Sequence, residues 1–204
     1  FRISDEALDK DVALMERLGV EVKCGAPAPS VAELKKMGYT HILMATGAWQ
    51  AGELGIPGNV RGVIAWMKEM KQQVKPCLEG HVVVVGAGNT AMDAARVAKR
   101  MGAASSTIVY RRTKKEMPAD EHELKLAIDE GVNLVELAAP VEQKDGRLIC
   151  NQMKLGEPDA SGRRSPVATG ETMEIPCDLV ISAIGEKVDS ELLKANGIEV
   201  DAKG

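Results

Sequence analysis

Aromatic side chains, long apolar runs and an excess of basic residues are all missing from this sequence. Phenylalanine, tryptophan and tyrosine make up 2% of the 204 residues, too few to build stacking platforms for bases or sugars. The formal net charge of −4 argues against a general nucleic-acid binder, because such proteins carry a basic surface that displaces counterions from phosphates. No apolar run approaches the roughly 20 residues that span a bilayer. We therefore expect a cytoplasmic protein without nucleic-acid or membrane partners.

The sequence also gives no indication of a metal or cluster site. The four cysteines, at positions 24, 77, 150 and 177, are far apart and form no C-x-x-C pair, and the three histidines show no metal-ligand spacing. We expect reduced thiols, as in a cytosolic protein, and no iron–sulfur ligation by these residues. The sequence starts without an initiator methionine or a signal-peptide pattern, so we expect a fragment of a longer protein.

Apolar periodicity predicts alternating helices and strands, which is typical of an α/β fold with a parallel sheet. Two strand-like runs beside a polar turn also predict an antiparallel hairpin, over residues 148–155 and 171–175. The predicted helices cover residues 5–18, 31–37, 63–73 and 120–130, with one more after the glycine-rich turn near residue 88. The other predicted strands cover 20–22, 41–45, 82–85, 106–110, 132–137 and 177–185, with a connector over 49–62.

A glycine-rich turn links the valine strand to the next helix in the stretch HVVVVGAGNTAMDAARVAKRMGA. Gly86, Gly88 and Ala91 match the G-x-G-x-x-G/A pattern of Rossmann-type dinucleotide sites. Gly86 permits the sharp turn, Gly88 lets a pyrophosphate approach the backbone, and Ala91 lets the helix pack closely on the strand. Asn89 or Thr90 is expected to cap the helix, whose first-turn N–H groups and dipole favour an anion. All five are predicted cofactor-binding residues; the alternative is a turn that merely connects strand to helix.

Two arginines stand where NAD-binding domains usually place an acidic residue. The next strand ends in TIVYRR, so Arg111 and Arg112 occupy the position from which Asp or Glu accepts a hydrogen bond from the ribose 2′-hydroxyl. Guanidinium groups bind a 2′-phosphate in a bidentate manner, whereas a carboxylate repels it. The sequence therefore predicts NADPH as the ligand, with Lys114 and Lys115 close behind the arginines. NAD specificity, with the arginines serving only the surface, stays open.

The combined motifs resemble a known family of oxidoreductases. VVVVGAGNTAMDAARVAKRMGA, YRRTKKEMPA and CDLVISAIGE are similar to the small-subunit family of bacterial glutamate synthase, which is related to the reductase half of dihydropyrimidine dehydrogenase. The segment MKLGEPDASGRRSPV is most similar to selenate reductase iron–sulfur subunits. The resemblance covers nearly the whole chain.

The resemblance implies an NADPH-binding domain inserted into an FAD-binding domain. Residues 79–185 would form the complete NADPH-binding domain. Residues 1–78 would be a partial FAD-domain segment plus connector, and residues 186–204 a partial return segment of the FAD domain. In the family, NADPH reduces FAD, and electrons continue to iron–sulfur centres in the same chain or in a partner subunit.

The resemblance also implies two further sets of cofactor-binding residues. Ala45, Thr46 and Gly47 would lie near the flavin nucleotide, and the backbone of Ile184 and Gly185 near the nicotinamide nucleotide. Only one glycine fingerprint is present, so we expect FAD in the full-length protein rather than in this fragment, which would be inactive alone. No catalytic residue is predicted, because hydride-transfer chemistry belongs to the cofactors. A nucleotide-binding regulatory or assembly module without redox catalysis is the other class that stays open.

Overall fold

The computed structural model describes residues 3–73, 75–160, 162 and 164–201, and the chain divides into two compact units. The first unit comprises Phe1–Gly47 and Asp189–Gly204, and the second comprises Ala48–Val188. The segment 48–78 therefore belongs to the second unit. The assignment of FAD and NADPH to the three predicted segments stays a prediction.

The described residues contain both helices and strands in the proportions of an α/β protein. The helices are α1 (Asp5–Arg17), α2 (Val31–Lys36), α3 (Val63–Lys71), α4 (Asn89–Arg100), α5 (Glu121–Asp129) and α6 (Ser190–Ala195). The strands are β1 (Gln50–Ala51), β2 (Val60–Gly62), β3 (His81–Val85), β4 (Ser105–Val109), β5 (Asn133–Val135), β6 (Ala138–Lys144), β7 (Arg147–Pro158), β8 (Arg164–Pro176), β9 (Leu179–Ser182) and β10 (Glu186–Lys187). Within the described ranges, no helix combines the length and apolarity needed to cross a membrane.

The described residues of the first unit form three helices and irregular segments. Ser4 Oγ accepts a hydrogen bond (3.3 Å) from a first-turn N–H of α1, and Ser30 and Glu33 form a capping box at the start of α2. The prediction of strands over 20–22 and 41–45 is wrong, because neither segment forms a strand. A strand needs a hydrogen-bonded neighbour, and the described part of this unit contains none.

The second unit has three layers: helices, a parallel sheet and a smaller antiparallel sheet. The parallel sheet has the strand order β2-β9-β3-β4-β5, so β3 lies at its centre. Val82 and Val84 pack with α3, α4 and α5 in one buried cluster, whereas Val83 and Val85 pack with the antiparallel sheet in another. Because both faces of β3 are buried, its sequence is a continuous apolar run instead of an alternating one. The predicted Rossmann-type α/β fold with a hairpin is confirmed.

The antiparallel sheet has the order β6-β7-β8. β7 and β8 form the predicted hairpin, whereas the sequence pattern does not predict β1, β2, β6 or β10. In β6 the register shifts between Pro140 and Glu142, which interrupts the alternation that marks a strand. Cys150 and Cys177 are free and buried in this layer. Burial raises the pKa of their thiols to about 12 and about 11.

An ion-pair network joins α4 to α5. Arg96 Nη2 and Arg100 Nη2 each lie 2.7 Å from Glu130 Oε1, and Arg96 Nη1 lies 3.5 Å from Glu123 Oε2. The Arg96 side chain is only 8% exposed, so its charge depends on these carboxylates for compensation. Hydrogen bonds from Arg100 and then from Arg96 lower the pKa of Glu130 to about 2.

We expect Glu130→Gln to lower the free energy of unfolding at pH 7 by about 2 kcal/mol, less than for a fully broken buried pair because Glu123 remains. The pKa of Glu130 is lower in the folded chain. The stabilisation by its carboxylate is therefore present above the ordinary value of 4.5 and is lost as the pH falls towards about 2. Urea titrations at pH 7 and pH 3 should show the difference from wild type shrinking at the lower pH.

Asp129→Asn is the matched control on the same helix, because Asp129 forms an exposed pair with Lys125. It should cost less than about 0.5 kcal/mol. An equal loss in both variants, or a loss for Glu130→Gln that does not change with pH, would contradict this account of the network.

Candidate functional site

The turn between β3 and α4 uses its two glycines differently. Gly86 has a φ of +140°, and a Cβ on it would lie 2.1 Å from the carbonyl oxygen of Ala183. Gly86 therefore allows the chain leaving β9 to pass directly against the turn. At Gly88 a Cβ would meet no atom within 4 Å, so the space beside this residue is open.

The start of α4 carries no side-chain cap. Its N-cap is Gly88, which makes no side-chain hydrogen bond to the first turn, so the prediction that Asn89 or Thr90 caps the helix is wrong. The helix instead begins at Asn89, one residue earlier than that prediction requires. N–H groups in an uncapped first turn, together with the positive end of the helix dipole, favour an anion. Ala91 is completely buried in the core cluster beneath the turn, which allows the close packing of the helix on the sheet.

Asn89 has a structural partner of its own. Its Oδ1 accepts a hydrogen bond from the Asp120 N–H (2.9 Å). Beside it, the Ala87 carbonyl accepts one from the Ala119 N–H (3.0 Å). These two bonds fasten the loop that precedes α5 to the glycine turn, so Asn89 shapes the site through that loop.

A cavity of about 600 Å³ lies at the carboxyl ends of β3, β4 and β9, the edge of a parallel sheet where such folds bind ligands. The structure brings seven of the predicted cofactor-binding residues together around it: Gly86, Gly88, Thr90, Arg111, Arg112, Ile184 and Gly185. The rest of its wall consists of Leu54, Val85, Ala87, residues 109–110, Pro118, residues 138–140, Ala183 and Glu186. Asn89 and Ala91 do not line the cavity.

The two arginines differ in their surroundings. Arg111 is exposed at the cavity wall. Arg112 is 8% exposed, and its Nε donates a hydrogen bond to the Arg164 carbonyl on β8 (3.1 Å). Arg164 in turn bonds back to β7, with its Nε donating to the Gly156 carbonyl (2.8 Å). The hairpin therefore holds Arg112 in place, while Arg111 is the more accessible cation.

The loop that follows the arginines is held by its own hydrogen bonds. The Tyr110 hydroxyl donates to the Glu116 carbonyl (2.9 Å), and Thr113 and Glu116 form a capping box around a single 3-10 turn. The hydrogen bond from the Thr113 hydroxyl is the main reason why the pKa of Glu116 is lowered. Lys114 and Lys115 lie exposed on this turn, so positive charge is concentrated next to Arg111.

The connector contributes to the cavity wall, which the sequence pattern does not predict. Leu54 reaches the cavity because the Gly52 N–H donates to the Gly185 carbonyl (2.8 Å) and the Ser182 hydroxyl donates to the Gly52 carbonyl (2.9 Å). Ser182 and Gly52 are separated by 130 positions in the chain, and no local sequence pattern predicts a contact between them. Glu186 is also missed, although its place directly after Gly185 offers a sequence signal.

The residues predicted to contact a flavin nucleotide lie outside this cavity. Ala45, Thr46 and Gly47 belong to the first unit, are exposed and have irregular backbone. Their role towards a flavin stays a prediction.

Comparison with known proteins places the chain among oxidoreductases. The family model described as pyridine nucleotide-disulphide oxidoreductase matches residues 8–204. The protein YgfK of Escherichia coli (strain K12) is 40% identical over 210 residues, which cover 100% of this chain and 20% of YgfK. The glutamate synthase [NADPH] small chain of Halomonas elongata is 32% identical over 228 residues, which cover 100% of this chain and 48% of that protein. The predicted resemblance to the glutamate synthase small-subunit family is confirmed.

These relatives are longer proteins, since the chain spans 20% of one and 48% of the other. Among solved structures, FprA of Mycobacterium tuberculosis in complex with NADPH superposes with a TM-score of 0.58. The superposition covers 70% of this chain and 49% of that chain, at 20% sequence identity. At this level of identity the likeness concerns the fold alone.

Proposed function

The chain belongs to the pyridine nucleotide-disulphide oxidoreductase family, and we propose that the cavity of its second unit binds NADPH as the hydride donor of a flavin-linked oxidoreductase. One observation carries the proposal. The uncapped start of α4, the open space at Gly88 and the exposed Arg111 all border the same cavity. This set offers backbone donors for two linked phosphoryl groups and an accessible cation for a third.

The strand order supports one orientation of the bound nucleotide. β4, which leads to Arg111, lies on one side of β3, and β9, which leads to Ile184, lies on the other. With the pyrophosphate on the turn after β3, the adenosine 2′-phosphate would meet Arg111 and the nicotinamide would lie beyond β9. Neighbouring strands are about 4.8 Å apart, so the three positions are spread over roughly 10 Å of the sheet edge.

The residues of this chain bind and orient the nucleotide. Gly88 and the first turn of α4 would hold the pyrophosphate, Arg111 and the hairpin-anchored Arg112 the 2′-phosphate, and the backbone of Ile184 and Gly185 the nicotinamide ribose. When bound, NADPH supplies the hydride, and the two electrons pass through FAD to iron–sulfur centres of the full-length protein or of a partner subunit. None of these residues is needed as an acid, a base or a nucleophile.

We further assign the three predicted segments to the two cofactors. Residues 79–185 form the NADPH-binding domain, and residues 1–78 and 186–204 are portions of an FAD-binding domain in the full-length protein. Ala45, Thr46 and Gly47 lie near the flavin nucleotide there. The family and the NADPH in the name of the Halomonas elongata relative support this assignment.

Isothermal titration of the chain with NADPH and with NADH tests the proposal. We expect NADPH to bind at least about 10-fold more tightly, because one charge-assisted hydrogen bond to the 2′-phosphate contributes about 1.5–3 kcal/mol. Equal affinities would overturn the assignment of NADPH and leave a general NAD site. If circular dichroism shows a folded chain that binds neither nucleotide, a regulatory or assembly module becomes the better explanation.

A further inference from the structure

We infer that Glu186 makes the cavity prefer the oxidised, positively charged nicotinamide ring over the reduced, neutral ring. The inference rests on the proposed function, because it requires a nicotinamide nucleotide in the cavity. Glu186 is the only acidic residue in the described cavity wall, where the other charged residues are Arg111 and Arg112. One cavity thus carries positive and negative side chains.

The fold places these charges beyond different strands. The arginines follow β4 and Glu186 follows β9, and these strands flank β3 on opposite sides. Glu186 pairs with Ala51 in the β1–β10 ribbon, and the hydrogen bond from the Gly52 N–H to the Gly185 carbonyl (2.8 Å) holds the backbone beside it. A nucleotide with its 2′-phosphate at the arginines would therefore bring its nicotinamide towards the carboxylate.

The carboxylate of Glu186 is available for such a contact. The side chain is half-buried, and it makes no hydrogen bond or ion pair with any residue that the structure describes. By contrast, the neighbouring Lys187 is exposed and does not line the cavity. Burial strengthens the field of a charge, so Glu186 acts on a ligand more strongly than an exposed carboxylate would.

The two oxidation states of the ligand differ at the ring alone. NADP⁺ and NADPH carry the same three phosphoryl groups, so the contacts with the turn and with the arginines cancel in the ratio of their dissociation constants. Donation of a hydride, with its two electrons, to the flavin leaves the ring with one positive charge. A nearby carboxylate stabilises that form, and tighter binding of the oxidised form makes the bound nucleotide a stronger reductant.

The test is the ratio of the dissociation constants of NADPH and NADP⁺, measured by titration calorimetry on the chain and its variants. We expect Glu186→Gln to weaken the binding of NADP⁺ by about three- to ten-fold and to change the affinity for NADPH by less than about two-fold. This size is expected because the charge of Glu186 is only half-buried. Glu186→Lys should weaken NADP⁺ further. Glu53→Gln is the matched control, because Glu53 is exposed on the same connector as Leu54 but does not line the cavity.

The outcomes separate this inference from the proposed function. If the unmodified chain binds both forms but Glu186→Gln leaves their ratio unchanged, or weakens both equally, the inference is wrong and NADPH binding stands. If the unmodified chain binds neither form, both fail. A change of the same size in Glu53→Gln would show a non-specific effect of net charge and would also overturn the role of Glu186.

Discussion

Arg111→Ala is expected to lower the affinity for NADPH by about 10- to 100-fold and to change the affinity for NADH by less than about two-fold. Arg111 is the exposed cation at the cavity wall, so its loss removes charge-assisted hydrogen bonds to the 2′-phosphate without opening the core. NADH lacks that phosphate. Titration calorimetry with both nucleotides measures the two affinities. The loss of NADPH affinity from wild type to Arg111→Ala should become smaller as the salt concentration rises, because exposed charges are screened.

Arg147→Ala is the matched control for this experiment. It removes the same charge from an exposed arginine that pairs with Glu174 on the hairpin and does not line the cavity. It should leave both affinities within about two-fold of wild type, since its charge lies outside the site. Should Arg111→Ala instead weaken NADH as much as NADPH, the side chain would serve the site as a whole and the 2′-phosphate assignment would fail.

The contrast between Arg111 and Arg112 shows where sequence reasoning stops. Local sequence patterns predict three parts of the site: the valine run predicts the central strand, the glycine pattern predicts the turn, and the TIVYRR strand end predicts the cavity edge. These features are predictable because each is formed by residues that are neighbours in the chain. The hydrogen bond from Arg112 to the Arg164 carbonyl joins residues 52 positions apart, and no local pattern predicts it. That contact makes Arg112 a buried, anchored residue, whereas the sequence presents the two arginines as equivalent.

The errors in the predicted strands also arise from contacts between segments that are far apart in the chain. The segments 20–22 and 41–45 have the apolar character of strands but lack a paired neighbour in the described part of their unit. Conversely, β2 is a three-residue strand whose apolar signal is too short to detect, and it exists because β9 pairs with it. A strand is a property of two segments, whereas a helix such as α1 satisfies its own backbone. The helices are accordingly predicted better than the strands.

Substitutions of the two glycines in the turn should have different effects: Gly86→Ala should lower the stability of the fold, and Gly88→Ala should weaken nucleotide binding. Gly86→Ala would place a methyl group 2.1 Å from the Ala183 carbonyl oxygen at a φ of +140°, so we expect the free energy of unfolding to fall by about 3 kcal/mol or more. Gly88 has a φ of −89°, which any residue adopts, and a Cβ there meets nothing within 4 Å. Alanine is a weaker N-cap than glycine, so Gly88→Ala should lower the free energy of unfolding by no more than about 1 kcal/mol, much less than Gly86→Ala.

Gly88→Ala should have a large effect on nucleotide binding, in contrast to its small effect on stability. The methyl group of Gly88→Ala would stand in the open space where the pyrophosphate meets the backbone, so we expect the affinity for NADPH and for NADH to fall together, by about 100-fold. Gly88→Val should abolish detectable binding while the chain stays folded. Urea unfolding and titration calorimetry on the same samples measure the two effects. A Gly88→Ala chain that binds NADPH as tightly as wild type would place the phosphoryl groups elsewhere, because an added Cβ and a pyrophosphate need the same volume.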